Sequence, residues 1–139
     1  MNQTKKLYGV IEGTILAVVA LLAFTVLKDE YLFGWVTYHW RFYLVLCFVA
    51  LLLLFFNKRV VSAAMTGGIA IGIFVGNYLG DMLKLLNEGK IVEGMEGEEI
   101  WRLRHHPGFE IWIGIILIAI VIGAIVPIVL SKKANKRAC

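Results

Sequence analysis

Residues 60–80 read VVSAAMTGGIAIGIFVGNYLG, a stretch with no charged side chain. Gly68, Gly72, Gly76 and Gly80 recur at a strict four-residue spacing, and Ala64 extends the series by one turn. On a helix, residues four apart lie one above the other on a single face. The stretch therefore predicts one membrane-spanning helix carrying a bare ridge. In lipid, helices gain little by burying apolar surface on each other, so small residues that admit close van der Waals packing become the association signal. The ridge is read as a glycine zipper, a backbone contact seam that ends at a polar pair, Asn77 and Asp81.

The rest of the chain fits that setting. It has 139 residues, 60% of them hydrophobic and 17% charged, with a mean hydropathy of +0.80. A soluble domain has roughly half its residues apolar and a quarter charged. Stretches of the roughly 20 apolar residues that a spanning helix needs fall at 7–27, 38–56, 60–80 and 109–130. These predict an all-α, four-helix integral membrane protein, with residues 1–139 forming a single domain. The first span is longer than a signal-peptide core and lacks a following small-x-small cleavage site, so it reads as an uncleaved helix.

An even number of spans puts both termini on one side. The 14 Lys and Arg divide into eight on that side (Lys5, Lys6, Lys58, Arg59, Lys132, Lys133, Lys136, Arg137) and six on the other (Lys28, Arg41, Lys84, Lys90, Arg102, Arg104). The eight sit in very short segments, so by density the positive-inside rule predicts cytoplasmic termini. Topology thereby accounts for the net charge of +4. With no folded basic surface, nucleic-acid binding is excluded as a reading. The expected localisation is a cytoplasmic or plasma membrane, crossed several times. Trp35, Trp40, Trp101 and Trp112 all fall on the outer side and read as an aromatic belt.

Small residues also line the first span (Gly9, Gly13, Ala17) and the fourth (Gly114, Ala119, Gly123). The second span is apolar all round. The first, third and fourth helices are thus the expected packing set, with the second facing lipid. The link Asn57-Lys58-Arg59 makes the second and third helices antiparallel neighbours, and Pro127 is expected to kink or end the fourth. In the outer cap loop, 81–108, the first residues extend the third helix as far as Gly89. Glu98–His105 then form a short amphipathic helix, with Glu98 and Arg102 four apart.

Ionisable groups within spans are functional candidates by default. Glu12 lies roughly 8 Å inside the first span. It reads either as an interfacial carboxylate paired with Lys5, Lys6 or Arg59, or as a proton- or cation-linked carboxylate. Asn77 and Asp81 share a helical face, with Asp81 at the outer boundary. They read as a hydrogen-bond cluster in which Asp81 pairs with Lys84 or a loop arginine, or as a polar mouth for a cation. His39, Arg41, Asp81, Arg102, Arg104, His105, His106 and Glu110 form an outer polar set suited to interfacial structure, a lipid headgroup or a divalent ion. No HExxH or CxxC spacing, P-loop, GxGxxG or Ser-His-Asp order accompanies them. Cys47 and Cys139 fall in different environments and suggest neither a disulfide nor a metal site.

The sequence thus favours a non-enzymatic accessory or scaffolding subunit, or a homo-oligomer, with no cofactor. Its partners would be the bilayer and either its own copies or another membrane protein. The alternatives are a small channel or cation- or proton-linked transporter using Glu12 or Asn77/Asp81, and an outer-face headgroup- or metal-binding enzyme.

Overall fold

The structure, a computed structural model, describes residues 2–139. Six helices follow one another: α1 (Gln3–Phe24), α2 (Tyr31–Tyr38), α3 (Trp40–Phe55), α4 (Arg59–Glu88), α5 (Gly97–Leu103) and α6 (Gly108–Ala138). No strand occurs among the described residues. Helices α1, α4 and α6 are each long and apolar enough to cross a membrane. The number becomes four if α2 and α3, bent by 89° at their junction, count as one span.

Each helix follows from its residues, with one departure from expectation. Helix α4 runs past Gly80 and stops at Gly89, as the absence of any breaker before that glycine predicts. Of the two outcomes expected at Pro127, a kink or an end, the end does not occur, and α6 continues to Ala138. Proline removes one backbone bond, and apolar helices tolerate that loss where neighbouring structure absorbs it. The departure is α2. The segment before the second span is a helix, not a loop, and it buries Leu32, Phe33 and Val36 completely. These residues sit at i, i+1 and i+4, one face of a helix. The corner between α2 and α3 is His39, whose ring stacks on Trp35 at 4.2 Å between centroids and 17° between planes.

Helix α4 is the centre of the molecule. It packs against α1, α2, α3, α5 and α6, whereas α1 and α6 lie apart from one another. The expected trio of first, third and fourth spans is therefore corrected to α1–α3–α4 on one side and α4–α6 on the other. The cause is that α4 has two distinct buried faces. Ser62, Met65, Thr66, Ile69 and Ile73 are buried together with residues of α1, α2 and α3, while the glycines serve α6. The most outward-facing long helix is α6, whose buried positions are only Gly108, Trp112, Ile116 and Gly123. The second span, expected to be the most exposed, instead buries Tyr43, Ala50 and Leu54 in α3.

Candidate functional site

The glycine face sets how closely α6 approaches. A Cβ placed on Gly68 would lie 2.9 Å from the Ala119 Cβ and 3.2 Å from the Ile116 Cα. At Gly72 it would meet Trp112 at 3.0 Å, and at Gly76 the Gly108 carbonyl oxygen at 2.6 Å. Near the opposite end of the seam, a Cβ on Gly123 would fall 2.7 Å from that of Ala64. The register is antiparallel, and no side chain intervenes between the backbones at Gly76 and Gly108. Trp112, fully buried, donates from Nε1 to the Ile69 carbonyl at 3.1 Å.

This close approach makes a slot for His106. The imidazole is buried, packed against Gly80 and Gly108, and stacked on Tyr31 with ring centroids 3.8 Å apart. The Gly108 N–H donates to Nδ1 at 3.0 Å. A backbone N–H can only donate, so Nδ1 is the bare nitrogen and Nε2 carries the proton. Nε2 then donates to Asp81 Oδ1 at 2.9 Å. Asp81 therefore bonds to His106, not to Lys84 or an arginine; Lys84 is 4.0 Å from Glu88 instead.

One turn deeper, Asn77 is fully buried and bridges two elements. The Leu32 N–H donates to Oδ1 at 2.9 Å, and Nδ2 donates to Glu30 Oε2 at 2.8 Å. The start of α2 has no side-chain cap of its own. Asn77 supplies the missing acceptor from α4, satisfying one of the amides that every helix start leaves open.

The remaining polar candidates do not join this cluster. His105 pairs with Glu110 at 2.8 Å, both about half exposed. Arg102 lies 3.8 Å from Glu98 on α5. Arg41 sits over the Trp40 ring at 5.6 Å, and the His39 Nδ1 is 3.0 Å from the Trp35 carbonyl. Arg104 is exposed. No group of three His, Cys, Asp or Glu able to hold a metal ion occurs among the described residues.

Glu12 forms no ion pair with its expected partners. It is 3% exposed, in the interior where α1 meets α4. Its Oε2 is 2.5 Å from Ser62 Oγ and 3.3 Å from Thr66 Oγ1, and its Oε1 has no hydrogen-bond partner. Ser62 Oγ is also 2.8 Å from the Ala50 carbonyl of α3. Lys5 donates instead to the Phe55 carbonyl at 3.3 Å. The signal in the sequence was the pair Ser62 and Thr66, four apart on α4 and away from the glycine face.

Comparison with known proteins finds no matching family model, no matching curated protein and no matching solved structure. The chemistry of the site is read from its geometry alone.

Proposed function

We propose that this chain is a non-enzymatic integral membrane protein with both termini cytoplasmic, acting as an accessory or scaffolding subunit in a membrane assembly. The observation that supports this reading is how the interhelical polar groups are used. Asn77 engages Leu32 and Glu30, Asp81 engages His106, His106 engages Gly108, and Trp112 engages Ile69. The bonds of Asn77, Asp81 and Trp112 tie neighbouring elements to α4, and the His106–Gly108 bond fixes the turn that enters α6. Buried polar groups fully occupied with each other specify a unique packing.

This packing keeps the glycine face for itself, so association falls to the outward side of α6. There Leu117, Ile118, Val121, Ile122 and Ile125 are all more than half exposed. The deciding experiment isolates the protein in native-lipid particles and determines its stoichiometry and companions. The reading expects a defined oligomer or a stoichiometric membrane partner, lost on Ile118→Trp with Val121→Trp while thermal stability is kept. A monomer without companions in native lipid overturns it.

A further inference from the structure

We propose that Glu12 is a proton-binding site: its carboxyl is the neutral acid in this conformation, donating from Oε2 to Ser62 Oγ, which donates onward to the Ala50 carbonyl. The inference rests on counting hydrogens. A serine hydroxyl has one hydrogen to give. Ser62 Oγ has two oxygen neighbours within hydrogen-bond distance, Glu12 Oε2 at 2.5 Å and Ala50 O at 2.8 Å. With Glu12 ionised, both are acceptors only, and one contact would set lone pair against lone pair. A proton on Oε2 gives both contacts a hydrogen, in one direction, from α1 through α4 to α3.

The second oxygen agrees. Oε1 is buried with no donor near it. A carbonyl-type oxygen of a neutral acid bears that isolation at a small cost, whereas a bare carboxylate does not. No charged or titratable group on the surrounding helices pairs with Glu12. On α1, Lys5 is tied to Phe55 O, and Lys6 and Tyr8 lie six and four residues before Glu12. On α3, Tyr43 donates to Leu16 O at 2.7 Å, and Cys47 is half-buried. Arg59 lies at the first turn of α4. None forms an ion pair or hydrogen bond with Glu12.

Release of the proton has a structural requirement. The proton leaves Oε2 for water, the electron pair and negative charge stay on Glu12, and the Ser62 hydroxyl turns from Ala50 to the carboxylate. Oε1 still lacks a donor, so the ionised form requires water between α1 and its neighbours. A cleft of about 510 Å³ opens one turn away, between α1 and α3, with Lys5, Lys6, Gly9, Leu54 and Phe55 on its walls. Leu54 lies across Gly9, 3.5 Å from where a Cβ would be. Proton exchange at Glu12 is thereby coupled to parting of α1 from α3 at this cleft. The site stands independently of whether the protein scaffolds an assembly.

The test is infrared spectroscopy of the full chain in liposomes at neutral pH, with glutamate carboxyl carbons isotope-labelled. The expected result is one protonated-carboxyl stretch per chain that is absent in Glu12→Gln, shifted in Ser62→Ala, and unchanged when sodium replaces potassium. Absence of the stretch in the native protein overturns the proposal. So does its loss on adding sodium at constant pH, which would make the site a sodium site. If Glu12→Gln does not fold, the isotope shift together with the Ser62→Ala displacement still identifies the group, and a stretch indifferent to Ser62→Ala overturns the assignment.

Discussion

His106 fills the space that a side chain on Gly80 would need, and donates its Nε2 hydrogen to Asp81, the next residue along the same helix. One short stretch of α4 thus receives the ring through its missing side chain and anchors it through the carboxylate that follows. The link between α5 and α6 is held at this point.

The two partners are unequal in consequence. His106 is 5% exposed and makes bonds at both nitrogens, whereas Asp81 is about half exposed and only accepts. His106→Ala removes a buried ring and both bonds, so its expected cost in detergent unfolding is about 2–4 kcal/mol. Asp81→Asn retains an oxygen acceptor and is expected to cost less than about 1 kcal/mol. Nitrogen NMR of labelled histidine checks the assignment: Nδ1 should be unprotonated. Equal costs for the two variants, or a proton on Nδ1, would contradict the hydrogen-bond directions given above.

Gly67 and Gly68 are adjacent yet face opposite fates on substitution. A Cβ on Gly67 meets nothing within 4 Å, while one on Gly68 meets Ala119 and the backbone of Ile116. Gly67→Ala is expected to be neutral or to stabilise by up to about 1 kcal/mol through helix propensity. Gly68→Ala should destabilise by about 1–3 kcal/mol, because two helices must separate to admit one methyl group. Thermal unfolding of the pair separates packing from propensity, and matching effects would remove the close-approach role of the seam.

Asn77 is the position where loss of a side chain should be read in another helix. Asn77→Ala leaves the Leu32 N–H without its acceptor, at an expected cost of about 1–3 kcal/mol. Asn77→Asp keeps an acceptor but sets a second carboxylate against Glu30, 2.8 Å from the present amide nitrogen. Hydrogen exchange at the amides of α2 is the measurement. Both variants should exchange faster there than the native protein, with exchange near Gly68 much less affected. Unchanged protection of Leu32 would show that α2 is held by its apolar face alone.

The architecture was legible where the physics is periodic. Four glycines one turn apart specify a close approach whatever their partner, and the outcome at Gly68 and Gly76 follows from that spacing. Their partner was less visible, because Gly108 and Gly123 lie at the start and the middle of α6 with Trp112 and Ala119 between them. Helix α2 was not legible. Its eight residues, YLFGWVTY, are short, mostly apolar and interrupted by Gly34, and no periodicity in so short a run separates a helix from an interfacial loop. Its acceptor, Asn77, lies 45 positions away in the chain. Glu12 stands out in the sequence as an acid within a span, but its neighbours do not. Nearby lysines attract a carboxylate in sequence-based reasoning, while the hydroxyls that receive it come from a helix fifty positions on.

The right-angle corner at His39 would have a consequence for a bilayer built around the molecule. By turning α2 out of line, it leaves α3 with 16 residues, about 24 Å at the usual helical rise. The apolar part of α6, from Phe109 to Leu130, rises about 33 Å by the same measure. A bilayer's hydrocarbon core is about 30 Å thick, so one flank would be too short for it and the other slightly too long. Membranes answer such mismatch by thinning, thickening or tilting, at fractions of a kcal/mol per ångström. Placed in a bilayer, this small protein would present a step in membrane thickness from one side of itself to the other.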